Sequence, residues 1–150
     1  MVAKLYRLRT PVADPAGWTF VMLSPAQNRA VVQWLLRHST RPQKAVDLWA
    51  VFFEYLHFES GEIMLTRDAM AEAIGSDAST ITKVTAELEW IGAISRRREP
   101  RNGPVRYFMN ARVATHLPNK ARERAQAEAS PLKLVPPEKP KKRPQPVPVE

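Results

Sequence analysis

Residues 67–86 read RDAMAEAIGSDASTITKVTA, and this stretch decides the expected fold. The small residue Ala71 is followed four positions later by Gly75, and the branched residues Ile81 and Val84 come ten and thirteen positions after Ala71. Two helices that cross closely need a small side chain at their contact, and the tight turn between them needs glycine, which tolerates a left-handed backbone. The second helix then needs apolar anchors one turn apart on its buried face. This spacing predicts a helix-turn-helix, whose second helix enters the major groove of DNA.

The residues around this stretch predict where both helices begin and end. Thr66 is placed to cap a helix over residues 67–74, and Asp77 to cap a second helix over residues 78–91, because both side chains can accept hydrogen bonds from free backbone amides. Gly92 is expected to end the second helix. The apolar side chains expected on its buried face are Ile81, Val84, Leu88 and Ile91.

A basic β-hairpin is predicted directly after Gly92. Residues 93–98 read AISRRR and residues 105–110 read VRYFMN, and both segments fit strands. Between them, Asn102-Gly103 is a strong hairpin-turn signal. A helix-turn-helix followed at once by a basic hairpin is a winged helix. The predicted fold class is therefore a mainly α winged helix-turn-helix with a small β-hairpin.

The residues before the helix-turn-helix predict a supporting core. Ser24 fits the cap of a helix over residues 25–38, which has proline at its first position. A second helix is expected over residues 43–57, where apolar side chains recur at helical spacing. These are Val46, Trp49, Phe52, Phe53 and Leu56. We interpret them as core rather than as a ligand cage, and we expect residues 1–23 to be extended and residues 63–65 to form a short strand.

The C-terminal residues predict a tail outside the folded domain. We place the domain at residues 1–117 and a basic, proline-rich tail at residues 118–150. Residues 119–129 fit a short polar helix. Residues 130–150 contain seven of the 14 prolines, so they are expected to be disordered or polyproline-like.

The formal net charge of +8 is unevenly distributed along the chain. Residues 66–92 carry about −3, whereas residues 93–117 carry about +5 and residues 118–150 carry about +4. A basic surface of this kind favours a polyanionic partner, because counterions are released on binding. Basic tails can also serve solubility alone, and this alternative stays open for the tail.

Composition argues against several classes of protein. The sequence contains no cysteine, which rules out disulfides and cysteine-based zinc sites. It has no run of about 18 apolar residues and its N-terminus lacks a signal-peptide pattern, so we expect a cytoplasmic protein without a membrane segment. His38, His57 and His116 do not follow metal-ligand spacing, and neither a P-loop nor a Gly-x-Ser-x-Gly motif is present. We therefore expect no enzyme, metal, cofactor or small-molecule substrate.

The segment from Thr66 to Tyr107 resembles prokaryotic winged-helix DNA-binding proteins, with T-x4-A-x3-G, a capped second helix, LEWIGAI and a basic hairpin. The aromatic run LWAVFFEYL precedes it and YFMNARVA ends it. With these flanks, residues 43–117 resemble the Firmicute-type plasmid replication protein family, whose wing ends in a Tyr-x-x-Asn-Pro-like segment. Ala111 stands here in place of the proline. The resemblance implies binding to plasmid DNA in replication or its control, and a transcriptional regulator such as a repressor is the alternative.

The candidate DNA-contacting residues lie on the two helices and the hairpin. Hydroxyl and ammonium groups on the outer face of the second helix can reach base edges or phosphates. We predict contacts from Arg67, Ser79, Thr80, Thr82 and Lys83. The hairpin residues predicted to contact DNA are Arg96, Arg97, Arg98, Arg101, Asn102 and Arg106. Alternation along a strand sends some of these side chains to each face, and the residues at the tip are placed to reach the minor groove or the flanking backbone.

Two other binding functions remain open at this point. The helix-turn-helix can serve as a protein-interaction module, with the arginines as a solvated face. The tail can instead make the protein a chromatin-like or single-strand binder with little sequence preference. A homodimer is also open, because single winged helices usually bind weakly alone, and its candidate surface is residues 1–38, with Trp18, Phe20 and Trp34.

Overall fold

The computed structural model describes residues 20–98, 100 and 103–137. Over these residues the chain is a mixed α/β arrangement of five helices and two small antiparallel sheets, which is compatible with a winged helix. The helices are α1 (Pro25–His38), α2 (Pro42–Glu54), α3 (Arg67–Ala73), α4 (Ala78–Trp90) and α5 (Asn119–Glu128). The strands are β1 (Met22–Leu23), β2 (Glu62–Ile63), β3 (Ile94–Arg98), β4 (Val105–Met109) and β5 (Ala114–Thr115).

Helices α1, α3 and α4 begin at the predicted capping side chains. In each case a side-chain oxygen of the residue before the helix accepts a hydrogen bond from a backbone amide of the first turn. Such an amide has no partner inside the helix. The three pairs are Ser24 with Gln27 (3.3 Å), Thr66 with Ala69 (3.1 Å) and Asp77 with Thr80 (2.8 Å). Gly75 lies between α3 and α4 with a φ of +59°, a conformation that favours glycine. The predicted caps and turn are therefore confirmed.

Helix α2 is shorter than predicted. It ends at Glu54, although helical spacing continues over residues 43–57. The chain leaves the helix because Leu56 forms a bridge with Ile63 of β2. Pairing with a strand therefore overrides the helical pattern of the last turn.

The predicted hairpin is confirmed as β3 and β4. The two strands pair antiparallel from Ile94 opposite Met109 to Arg98 opposite Val105. Strand β2 pairs with the other edge of β4, so the hairpin belongs to a three-stranded sheet in the order β2-β4-β3. Strands β1 and β5 form a second, two-stranded sheet, which the sequence analysis did not predict.

One hydrophobic core joins the first four helices to the inner side of the three-stranded sheet. Trp49, Phe52 and Leu56 are buried, while Val46 and Phe53 pack at the margin, which confirms the aromatic stripe as core. The four predicted anchors of α4 are all fully buried: Ile81, Val84, Leu88 and Ile91. These anchors fix the orientation of α4, so its opposite face is directed outward.

The segment after α5 differs from the predicted separate tail. The polar helix is confirmed as α5, and none of its described side chains is buried. Residues 130–135, which we call the strap, return to the domain that was expected to end at residue 117. Leu132 packs against the core, and the Lys133 amide donates to the Ile91 carbonyl at 2.9 Å. Proline does not prevent this contact, because the strap needs only isolated hydrogen bonds and no regular ladder.

Several predicted features lie outside the described residues. These are residues 1–19 with Trp18, the hairpin-tip residues Arg101 and Asn102, and residues 138–150. Of the remaining dimer candidates, Phe20 is exposed, but Trp34 is buried and so does not fit the expected dimer surface. Across the described ranges, none of the helices has the length and apolar character needed to cross a membrane.

Candidate nucleic-acid interface

Helix α4 presents one exposed face opposite its core anchors. Ser79, Lys83 and Ala86 are exposed and recur three or four positions apart, as residues on one side of a helix do. Trp90 continues this row at the end of the helix and is 40% exposed. A hydroxyl, an ammonium group and a small apolar side chain suit this face to phosphates and base edges.

The loop between α1 and α2 covers one flank of α4. The Glu87 carboxylate accepts hydrogen bonds from the Ser39 hydroxyl at 2.8 Å and from the Thr40 amide at 2.9 Å. These contacts help to set the rotation of α4 about its axis. No local pattern predicts them, because 48 residues separate Ser39 from Glu87.

Thr80 is not on the exposed face, which corrects its assignment as an outward DNA-contacting residue. Its side chain is only 6% exposed, and its amide is used by the Asp77 cap. Thr80 lies two helical turns before Glu87 on the same flank, about 100° around the axis from Ser79. Its burial on this flank assigns Thr80 to the packing of α4.

The N-terminal end of α4 carries a charged cap. The hydrogen bond from the Thr80 amide, supported by the Thr80 hydroxyl and by the nearby Arg41 guanidinium, holds the pKa of Asp77 below its ordinary value of 3.8. Asp77 is therefore ionised at neutral pH. Arg41 is exposed, and it places a positive charge near this end of α4. No sequence pattern indicates this position of Arg41, because Arg41 precedes α2 and lies outside the predicted helix-turn-helix.

Two cations beside α3 and α4 are held by hydrogen bonds within the protein. Arg67, predicted to contact DNA, is half-buried and donates to the Tyr107 hydroxyl at 2.7 Å and to the Thr82 hydroxyl. Arg67 and Thr82 thus join α3 and α4 to β4. Lys44 of α2 donates to the Ile74 carbonyl at 2.7 Å and stabilises the C-terminal end of α3. No spacing rule predicts these long-range contacts.

The arginines of β3 alternate between the two faces of the sheet, as predicted. Residues directly opposite each other in an antiparallel pair project to the same side, so Arg97 shares a face with Arg106. Arg96 and Arg98 share the other face with Tyr107, which is buried. Because the Tyr107 hydroxyl meets a side chain of α3, this second face is the one directed towards the helices.

Arg96 and Arg98 are the exposed cations on the face directed towards the helices. Arg96 lies 3.7 Å from Glu89 of α4, and the two side chains are 52% and 38% exposed, so solvent screens this ion pair and it is weak. Arg98 is exposed at the end of β3 nearest the hairpin tip. Both side chains can therefore meet a polyanion that approaches α4.

Arg106 differs from its predicted role. Its guanidinium donates to both carboxylate oxygens of Glu62, at 2.7 Å and 2.8 Å, in a bidentate ion pair. Glu62 is only 6% exposed. On the same face, the Arg97 guanidinium lies over the Phe108 ring at 4.6 Å. Arg106 is therefore a structural cation on the face directed away from the helices.

Within the described part of the chain, no group of three or more His, Cys, Asp or Glu side chains could hold a metal ion. Comparison with protein-family models finds no match, and searches of curated proteins and of solved structures find none either.

Proposed function

We propose that this protein binds double-stranded DNA as a winged helix-turn-helix, with α4 in the major groove and the β3–β4 hairpin beside it. One observation carries the proposal. The exposed face of α4, with Ser79 and Lys83, belongs to a helix that lies beside β3, whose exposed Arg96 and Arg98 project from the face directed towards the helices, and a packed core supports both elements. Side chains on a rigid scaffold are suited to reading base edges, and exposed cations are suited to phosphates.

The two elements divide the work of recognition. Lys83 reaches guanine acceptors or phosphate, Ser79 reaches either kind of group, and the methyl of Ala86 suits contact with a thymine methyl. Arg98, near the hairpin tip, supplies a phosphate contact. Direct readout therefore comes from α4, and most of the electrostatic attraction comes from the hairpin.

The acids of α4 and of its N-terminal cap all have partners within the protein. Asp77 is engaged as a helix cap with Arg41 nearby, and Glu87 is hydrogen-bonded to the loop between α1 and α2. Glu89 faces Arg96. These three carboxylates are thus engaged within the protein, while Lys83 stays exposed.

For the biological role we favour plasmid replication or its control, because residues 43–117 resemble the Firmicute-type plasmid replication proteins. The role would be origin recognition, since the sequence contains no motif for nucleotide hydrolysis. A transcriptional regulator would use the same interface. The position of selected sites separates the two roles: short direct repeats at an origin support replication, and sites in a divergent promoter support regulation.

The test is selection of duplexes from a random library, followed by titration of the selected and a scrambled duplex. We expect Lys83→Ala to weaken binding to the selected duplex by about 1–3 kcal/mol, the usual cost of losing a base contact. Lys120→Ala is the matched control, because Lys120 is an exposed lysine on α5 and its loss changes the net charge equally.

Failure of the wild-type protein to prefer any duplex over the scrambled sequence would refute sequence-specific binding. Tighter binding to single strands than to duplexes would favour the single-strand alternative. Equal effects of Lys83→Ala and Lys120→Ala on the selected duplex would show that α4 is not the reading helix.

A further inference from the structure

The strap is fastened by two tryptophans that share one acceptor. The indole Nε1 of Trp34 in α1 donates to the Val135 carbonyl at 2.9 Å, and that of Trp90 at the end of α4 donates to the same oxygen at 3.2 Å. A carbonyl oxygen has two lone pairs and can accept both bonds. Val135 thus links α1 to the C-terminal end of α4.

The two backbone carbonyls that directly follow α4 also accept hydrogen bonds. One bonds to the strap, and the other bonds to Asn110, which in turn holds the strap. The Lys133 amide donates to the Ile91 carbonyl at 2.9 Å. The Asn110 amide group donates to the Gly92 carbonyl at 2.9 Å and to the Ser130 carbonyl at 2.8 Å. The Ile91 carbonyl, at the C-cap position of α4, needs a partner from outside the helix, and the strap provides it.

Apolar contact gives the strap a fixed register. Leu132 is half-buried and packs against the core, whereas Leu134, two residues later, is 44% exposed. The preceding helix α5 has no buried residue among its described side chains. The contacts of this C-terminal region with the core are therefore concentrated in the strap.

We propose that the strap positions the DNA-reading helix, an inference that rests on the proposed function. With residues 130–135 docked, the C-terminal end of α4 is held between α1 and the end of β4. This end is opposite the Asp77 cap, so the strap acts on α4 at a distance from the N-terminal part of the reading face. Duplex affinity then depends on a segment that does not itself contact DNA. Recognition requires side chains held within a fraction of an ångström, which makes the orientation of α4 decisive.

The experiment uses full-length Leu132→Asp and its matched control Leu134→Asp. Both variants introduce the same charge into the same segment, so their direct electrostatic effects on DNA are equal. Only Leu132→Asp places a carboxylate against the core, which costs free energy and undocks the strap. We expect faster hydrogen exchange at the Lys133 amide and at residues 91–93 in Leu132→Asp alone. We also expect its affinity for the selected duplex to fall at least about fivefold relative to the control, as for a typical coupling between sites.

Each outcome decides a separate question. Faster exchange at Lys133 with affinity equal to the control would overturn the positioning role of the strap. Unchanged exchange at Lys133 in both variants would show that Leu132 does not hold the strap, which also overturns the proposal. A wild-type protein that bound no duplex would refute the proposed function, and the exchange at residues 91–93 would still report whether the strap holds α4. Circular dichroism monitors folding, and Trp34→Phe, which removes one of the two indole donors without changing the exposed face of α4, should give a smaller effect in the same direction.

Discussion

Asp77 combines two physical roles at one end of α4. Its carboxylate accepts the Thr80 amide as a helix cap, and its negative charge lies near Arg41. Both interactions favour the ionised carboxylate, which is why the pKa of Asp77 lies below its ordinary value of 3.8. The cap is therefore strongest when Asp77 is charged.

This shift makes the stability of the protein depend on pH through Asp77. Since its pKa is lower in the folded than in the unfolded state, Asp77 contributes stability above pH 3.8, and that contribution is lost as the pH falls through the folded-state value. Asp77→Asn keeps a good capping side chain but cannot ionise. We expect the stability difference between wild type and Asp77→Asn to shrink or reverse below pH 3.8. Urea unfolding at neutral and acidic pH measures this difference, and a difference that stays constant across the range would contradict the role of the charge.

The sequence predicts those residue roles whose partners are close along the chain. The caps at Ser24, Thr66 and Asp77 each bond an amide three residues away, so their spacing is visible in the sequence. Arg67 and Arg106 have partners 40 and 44 residues away, and no local pattern reveals them. Thr80, predicted to face outward, is likewise buried by tertiary packing that no local pattern reveals.

At the scale of elements, the two faces of the three-stranded sheet carry hairpin arginines with different contacts. Arg106 pairs with the buried Glu62 and Arg97 lies over Phe108, so the outer face is neutralised or packed. Arg96 and Arg98 remain on the face directed towards the helices. The hairpin itself was predictable from Asn102-Gly103. A short strand was also expected at residues 63–65, but it forms at Glu62–Ile63, because its position depends on non-local pairing with β4.

This division predicts different effects for two arginines of one hairpin. If the proposed DNA binding holds, Arg98→Ala should weaken binding to all duplexes similarly and reduce the salt slope by about one unit, because it would remove the phosphate contact proposed for Arg98. Arg106→Ala should mainly lower the free energy of unfolding, because it leaves the buried Glu62 carboxylate without its ion pair. Titrations at several salt concentrations and urea unfolding separate the two effects.

Arg124→Ala, an exposed substitution on α5, controls for the change in net charge. A change of preferred base in Arg98→Ala would make the hairpin a direct reader of sequence. The same expectation of a phosphate contact applies to Arg101 at the tip, which lies outside the described residues.

At the scale of the whole molecule, the strap extends the folded domain beyond the boundary that composition suggests. Proline content and low hydrophobicity predict a tail after residue 117, because such a segment cannot form a core of its own. The strap instead packs on a core that the helices have already formed. Leu132 contacts this core, and the Val135 carbonyl accepts a hydrogen bond from the Trp34 indole. Composition indicates whether a segment can form a core of its own. It does not indicate whether the segment can pack on another part of the chain.

The position of the true boundary can be tested by two truncations. Ending the chain after Ser130 removes Leu132 and the acceptor of both indole groups, so we expect the free energy of unfolding to fall by about 2 kcal/mol. Ending it after Pro137 keeps the strap, so the melting temperature should match that of the full chain. The second truncation still removes Lys139, Lys141, Lys142 and Arg143. It should therefore weaken non-specific DNA binding at low salt and have less effect at physiological salt, where screening is stronger. Equal melting temperatures for all three chains would show that the strap adds no stability, and the boundary would return to residue 117.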